Sequence, residues 1–597
     1  MNRNLRGILD KLPKTLDETY ERVLKDIDED NREHAHRLLH CLAVAIRPLR
    51  VQELAEILAF DFEGSEGGIP KFRVDWRSKD QEWAVLSTCS SLITVVDSRI
   101  FPFGDCRVVQ FSHFSVKEFL LSDRLESTAG DVSRYHILPG RAHTIFAQAC
   151  LGFLLHLDIP DWDDAVERFP LALYAAKHWV AHAQFEDVAS HVKDGMQSLF
   201  DPEKYHLEAW LLIHDIDQPD YGLYDSPNHL YYAALCGFHD VVEHLVITHP
   251  QLTNTFSSRR NIPPVLAALL NNHIRVAEYL VQHGGKADIR GEKGLTLLQM
   301  LLDEDRDVFE REDIVVMGSF LLRHGANANV RRSDLSTPLH DAIMYQIFEL
   351  VPVLLENGAD VNSRDDKGST PLHVTTECML EREAQDITRP LLGLGTNVNA
   401  QDEDGDTSLL ADTCGEYVRI AEVLLEHGAE INAKNNDCKT SFHILTGGDS
   451  ASSPHPRRYS LARLLLKHGA SVNDEDKDHQ TPLHLAMKWG SCEMVQILLE
   501  HDADPNVVDK DGKTILHLAL EPKEYYRLGN EEIQAPRLVR LLLERGANVN
   551  AQDKDNATPL HLAMKWGSCE MVQILLEHDA QPNVVDKDGK TPLHLAL

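Results

Sequence analysis

The chain has 597 residues, of which 43% are hydrophobic and 26% charged, and its formal net charge is −35. That length exceeds what one hydrophobic core can serve, so several domains or a repeat array growing in one dimension are expected, and the composition is ordinary for folded protein. The acidic excess argues against nucleic acid and anionic lipid as partners, and the longest apolar stretches, such as Ala149 to Leu155, fall far short of the roughly 20 residues that span a bilayer. Met1 to Asp10 has basic residues but no apolar h-region, and the ten cysteines are scattered singly with no CxxC pair. Both features predict a protein of a reducing compartment, cytoplasmic in the simplest reading and nuclear in the next.

Residues 1–225 carry no repeat. Leu5 to Ile27, His34 to Ala45 and Val51 to Phe60 have helical periodicity, with Pro48 breaking the second from the third. Ser91 to Val96 and Arg107 to Phe111 are rich in β-branched residues and flank Phe101 to Gly104, which predicts a hairpin; a helix is expected from Ser115 to Leu125. Three helices and a hairpin outline a winged-helix-like domain over 1–135, followed by a helical connector over 136–225. Ser112, His113 and Ser115 are close in sequence, but no oriented acid accompanies them, so they do not predict a catalytic triad.

After about residue 225 a TPLHxA pattern recurs, with anchors at Thr337, Thr370, Thr407, Thr440, Thr481, Thr514, Thr558 and Thr591. Their spacings are 33, 37, 33, 41, 33, 44 and 33, so a 33-residue unit alternates with a lengthened one. In Thr481-Pro482-Leu483-His484 the threonine can cap a helix and the proline sits at N1, where its missing N–H costs nothing. Gly490 can end that helix, Ser491 can start a second, and Val495, Leu498 and Leu499 give the second helix an apolar stripe. Asp509 to Gly512 then has turn chemistry. Period, capping and stripe together resemble the ankyrin family, over about ten units from 226 to 597 with the last one incomplete. The expected fold is therefore mainly α, an ankyrin-repeat solenoid of helix pairs with β-hairpin fingers, preceded by the winged-helix-like unit and the connector.

Departures from the repeat carry expectations of their own. Asp502 and Asp579 stand where glycine normally ends the second helix (Gly358, Gly428, Gly469, Gly546), which predicts weaker corners. Extra residues in the long units, Gly447 to Arg458 and Glu521 to Gln534, fall between the two helices and are read first as tolerated loop growth. Residues 481–520 and 558–597 are one 40-residue string apart from Asp504/Gln581 and Ile515/Pro592, the mark of internal copying.

Specific strings in the N-terminal third carry a second resemblance: LPKTLDETYERVL (Leu12 to Leu24), AIRPLRVQELAEIL (Ala45 to Leu58), CSSLITVV (Cys89 to Val96), FSHFSVKEFLLS (Phe111 to Ser122) and FPLALYAAKHWVAHA (Phe169 to Ala183). Together they resemble the winged-helix region that follows the NACHT nucleotide-binding domain in fungal signal-transducing (STAND-type) NTPases with ankyrin tails, the GPI inositol-deacylase winged-helix family. The resemblance implies that this unit packs on an NTPase module and relays events in the array to a nucleotide switch. The chain itself has no GxxxxGK[ST] to surround phosphates and no GxSxG nucleophile elbow, so no enzyme activity, cofactor or metal is expected of it.

The histidines repeat with the array, at the TPLH slot (His340, His373, His443, His484, His517, His561, His594) and at the end of the second helix, so they read as repeat structure and not as metal ligands. Candidate partner-binding residues are Trp489 and Trp566, at the ends of two first helices, and Lys510, Asp511, Lys587 and Asp588, at two finger tips. The expected function is a non-enzymatic scaffold or sensor that binds a protein partner through the array. The alternative is the regulatory and sensing part of an NTPase whose NACHT domain lies upstream of or outside the chain.

Overall fold

The computed structural model describes residues 15–62, 68–89, 91–100, 104–126, 131–157, 166, 168–217, 227–257, 261–291, 293–303, 310–376, 381–447, 456–489, 491–521 and 535–595. Two compact units divide the chain, Met1–Gly294 and Leu295–Leu597.

In the first unit, helix α1 (Leu16–Lys25) begins where the Thr15 hydroxyl accepts the Glu18 amide at 3.2 Å, with Asp17 and Glu18 in its first turn. Then follow α2 (Arg32–Val44), β1 (Leu49–Arg50), α3 (Val51–Ile57), β2 (Phe60–Asp61), β3 (Lys71–Phe72), α4 (Gln81–Cys89), β4 (Ile93–Ile100), β5 (Gly104–Phe111), α5 (Phe114–Leu120) and α6 (Asp123–Glu126). The antiparallel sheet has the order β1-β5-β4, pairing Leu49 with Val109 and Ile93 with Phe111. Helices and hairpin make the winged-helix-like unit that the sequence predicts.

Three local differences have physical causes. The hairpin strands run beyond their β-branched segments, because backbone pairing continues through exposed Asp97 and Arg99 without needing apolar side chains. The helix expected over Ser115 to Leu125 breaks into α5 and α6 at Ser122, whose hydroxyl bonds the Phe119 carbonyl at 2.7 Å. Helix α4 and the two-residue pair β2–β3 have no long periodic run to announce them.

Helices α7 (Pro139–Leu154), α8 (Ala172–Ala183), α9 (Val188–His191), α10 (Lys193–Leu199) and α11 (His206–Ile213) form the connector. It is locked to the winged helix through the segment Ala45 to Leu58. The buried Glu53 carboxylate accepts four hydrogen bonds, from Arg47 Nη1 and Nη2 (2.8 and 2.6 Å) and from Arg50 N and Nε (2.8 and 3.0 Å). Arg50 Nη2 donates onward to the Pro170 carbonyl at 2.8 Å, and the Leu171 amide donates to Glu56 at 2.7 Å. Burial pushes Glu56 up to about 7 despite those partners and Arg77. At the far end of the connector, Trp179, Phe200 and Trp210 form one aromatic cluster, and Trp179 and Phe200 pack on Phe238 from the first repeat-like helix pair (His229–Leu235 and His239–Thr248).

The second unit is a run of helix pairs. Pro338–Met344, Pro371–Thr375, Pro482–Lys488 and Pro559–Lys565 are first helices capped by the anchor threonines, each with proline at the start. Second helices such as Cys492–Glu500 bury one face, here Met494, Val495, Ile497, Leu498 and Leu499. Gly358 ends its helix at φ +81°, and Asp502 and Asp579 adopt the same left-handed backbone at +62° and +65°, a conformation that costs an L-residue about 1 kcal/mol. Gly490, Leu597 and the insertion residues 448–455 and 522–534 lie outside the described residues.

At one corner the repeat is rebuilt around a charge. Arg332 occupies the position that aspartate or asparagine takes in later fingers; its guanidinium bonds Asp341 at 2.7 Å, Asp303 at 3.2 Å, and the Gln299 and Leu302 carbonyls at 2.8 and 2.9 Å. Burial raises the Asp341 carboxyl although Arg332 opposes the shift. Arg332→Ala strands a buried carboxylate and is expected to destabilise the second unit by about 3 kcal/mol in urea unfolding, whereas the R332M/D341L pair recovers most of that loss.

Candidate functional site

From Asp365 onward, each finger is built on one side-chain oxygen. Asp509 Oδ1 accepts the amides of Asp511 and Lys513, both at 2.9 Å, and Asp365, Asp402, Asn435, Asp476, Asp553 and Asp586 do the same at their own fingers. The fingers are then tied to one another by backbone bonds, among them Lys510 N to Asp478 O at 3.2 Å and Lys554 N to Asp511 O at 3.1 Å.

The first helix joins this frame through its histidine. In His340, His373, His443, His517 and His561, Nδ1 accepts the anchor threonine amide at 3.0–3.2 Å, so Nε2 carries the hydrogen and donates to a carbonyl of the next finger: Ser369, Asp406, Gln480, Ala557 and Lys590 in turn. Burial holds His340, His373, His443 and His517 below their ordinary value of 6.5. At the end of the second helix, His283, His324, His427 and His578 bond back along it, as His427 Nδ1 does to the Val423 carbonyl at 2.8 Å. These bonds give the periodic histidines their structural role.

A second periodic residue escaped the sequence reading. Asn473 Nδ2 donates to Asp502 O at 3.1 Å while its Oδ1 accepts the Asp504 amide at 2.8 Å, clasping one helix corner to the next. Asn329, Asn362, Asn399, Asn432, Asn506 and Asn550 repeat the clasp. The signal was available, because these asparagines follow the same series of intervals as the threonines, beginning 33, 37, 33 and 41.

The candidate partner-binding residues fall into two groups. Lys510 Nζ bonds Asp478 at 3.0 Å and Lys587 Nζ bonds Asp555, so each lysine is committed to the preceding finger and its ammonium is stabilised by that hydrogen bond. Asp511 and Asp588 lie exposed at the tips, their own amides engaged with Asp509 and Asp586. Trp489 is half-buried in a cleft of about 550 Å³ between fingers and first helices, with Ile444, Leu445 and Leu485 as apolar lining and Asp476, Asp478 and Lys488 among its polar walls. Trp566, in the copied string, is 50% exposed and has Lys565 Nζ 5.1 Å from its ring centre. The two tryptophans differ because the cleft walls Ile444, Leu445 and Arg458 come from the preceding repeat, outside the copied residues.

Elsewhere, His113 Nδ1 accepts the Ser115 amide at 3.2 Å as a helix cap, and Ser115 Oγ lies 2.8 Å from the Tyr20 hydroxyl. His239, Asp240 and Glu243 come together with metal-ligating atoms, but all three are exposed and Asp240 lies 3.3 Å from Lys193 Nζ. Among the described residues no helix is long and apolar enough to cross a membrane.

Comparison with known proteins agrees with this architecture. Residues 21–130 match the family described as GPI inositol-deacylase, winged helix domain. Residues 321–374 and 465–519 match ankyrin repeats (many copies), and 530–597 match ankyrin repeats (3 copies). The chain carries a winged helix of that type followed by ankyrin repeats. A relative from Monascus ruber, the azaphilone pigments biosynthesis cluster protein L, is 31% identical over 252 residues, 40% of this chain and 51% of the relative. The chain thus spans about half the length of that curated relative.

Two outcomes follow for the ankyrin frame. Asn473→Ala removes both bonds of one clasp and is expected to cost about 1–3 kcal/mol, read as a lower urea midpoint. The buried histidines bind protons more readily once unfolded, so their contribution is fully present above pH 6.5 and declines as pH falls below it; urea midpoints of the array measured down a pH series should drop over that range.

Proposed function

We propose that the chain is a non-enzymatic interaction scaffold, in which the ankyrin array captures a protein partner on the face between its fingers and first helices. The observation that carries this reading is how the polar groups are divided. Most of the periodic threonine, histidine, asparagine and finger aspartate side chains are engaged in bonds between and within repeats, so the frame is largely self-contained. What varies from repeat to repeat is displayed on the fingers and at the helix ends. There the cleft at Trp489 combines an indole, an apolar lining and charges of both signs, the composition of a binding hot spot.

A second reading is favoured by the winged-helix match over 21–130. In it, the chain is the regulatory and sensing part of a STAND-type NTPase, with the winged helix docked on a NACHT module and the array sensing the partner. The buried Arg47–Glu53–Arg50 group suits that role, since Arg50 carries it across to the Pro170 carbonyl of the connector.

The test uses the full chain as bait in extracts of its source organism, alongside W489A, W566A and the double variant. Loss of one specific captured protein by at least about tenfold in W489A, with the urea midpoint unchanged, is the expected result; equal capture by all four forms removes the tryptophans from the site. Probing the endogenous protein with an antibody to the array separates the two readings. A band near 67.3 kDa favours the free scaffold, and a much larger one that binds nucleotide favours the NTPase subunit.

A further inference from the structure

Winged helix and connector meet at a second contact, made of groups that the ion pairs leave aside. The Ile46 amide, in the turn between α2 and β1, donates to the Tyr174 hydroxyl at 3.1 Å. That hydroxyl lies 3.0 Å from His182 Nε2, and His182 Nδ1 lies 2.8 Å from His143 Nδ1. Tyr174 and His182 are fully buried on α8, while His143 on α7 is half-buried and stacks on Phe185 at 4.1 Å. Phe146 closes the other side, stacked on Tyr174 at 4.8 Å and 4.6 Å from the His182 ring. A continuous hydrogen-bonded chain therefore runs from a partly accessible imidazole to a single backbone amide of the winged-helix turn.

The two imidazoles meet nitrogen to nitrogen, and such a contact holds only while one Nδ1 donates and the other accepts. Neutral rings satisfy it, with either ring as donor. When both rings carry a full complement of protons, both Nδ1 atoms are donors and the contact must part. The surroundings discourage even the first added proton. Arg47 sits 4.9 Å over the Tyr174 ring with its charge already shared with Glu53; α8 contributes Lys177 and His178, α7 Arg141 and the buried Cys150 thiol, and α2 the buried Cys41 thiol. A carboxylate, Glu186, lies beside Gly140 at the start of α7.

We propose that His143, His182 and Tyr174 form a proton-operated latch that fastens the Ala45–Arg50 turn of the winged helix to the connector, closed with the imidazole pair neutral and released by its protonation. Burial and the neighbouring imidazoles hold His182 down to about 3, and burial lowers His143 as well, so the latch is shut near neutrality and the half-buried His143 is the point of entry for protons. Release frees the turn that leads into Arg50, whose guanidinium reaches the Pro170 carbonyl of the connector. Acid would therefore loosen this joint before it reaches the core around Trp179 and Trp210, which contains no ionisable ring in its aromatic stack.

Amide hydrogen exchange of the full chain, corrected for intrinsic rates, reads this directly. Between about pH 7 and pH 4 the Ile46 amide should lose protection by up to about a hundredfold per pH unit, the slope of two-proton linkage, while tryptophan fluorescence of the core stays unchanged. H143F keeps the stack on Phe185 but removes the proton entry, and should flatten the Ile46 profile. Y174F leaves the imidazole pair intact and should expose Ile46 to exchange equally at every pH, which keeps the proposal testable should H143F fail to fold. An unaltered Ile46 profile in H143F or Y174F overturns the latch, as does loss of Ile46 protection only together with the tryptophan signal.

Discussion

The array depends on one imidazole being part of two repeats at once. A histidine such as His443 accepts its own threonine's amide through Nδ1 and donates through Nε2 to the Gln480 carbonyl of the following finger, so one ring closes a helix start and fixes the next repeat. In a capping box the third helical position is usually Glu or Gln, whose side chain serves only its own helix. Imidazole has a second nitrogen pointing the other way, and only in its neutral form does it accept and donate together. The stability of the solenoid is thereby tied to proton occupancy, and its stacking order to a hydrogen bond with one donor and one acceptor.

The N-terminal unit solves the same problem of joining helices by other means. Glu53 is wholly buried and draws in two arginines, one of which reaches the Pro170 carbonyl of the connector. A buried ion group of this kind is weak evidence for stability but specific in geometry, since every donor must be in place before the charge is tolerated. The array uses similar bonds repeated many times and tolerates local change, as Arg332 shows by taking over a finger position and rebuilding the corner around Asp341. One unit is a single lock and the other a chain of similar links.

That division bears on function. A frame whose periodic polar groups are mostly engaged internally can vary its exposed residues at little cost; in the scaffold reading proposed above, exposed tips such as Asp511 and Asp588 and clefts such as the one at Trp489 are the places where a partner would be chosen. The lysines at the same tips are less available than their exposure implies, because Lys510 and Lys587 each reach back to the preceding finger.

Repeat class, helix pairs and the winged-helix outline were legible in the sequence because each rests on local rules: threonine and proline at a helix start, apolar residues at i, i+3 and i+4, β-branched runs on either side of a turn. The asparagine clasp was legible in principle, since Asn473 and its counterparts keep the period of the array, yet nothing local marks an asparagine as bonding to the neighbouring repeat. The different settings of Trp489 and Trp566 could not be read from two identical strings, because their surroundings come from repeats outside the copy. The meeting of Ile46, Tyr174, His182 and His143 was equally out of reach, with up to 128 residues between bonded partners. By itself the sequence determined periodicity, capping and the hydrophobic pattern, which act over a few residues; tertiary structure alone decided which buried polar groups became neighbours, because that depends on how distant helices pack.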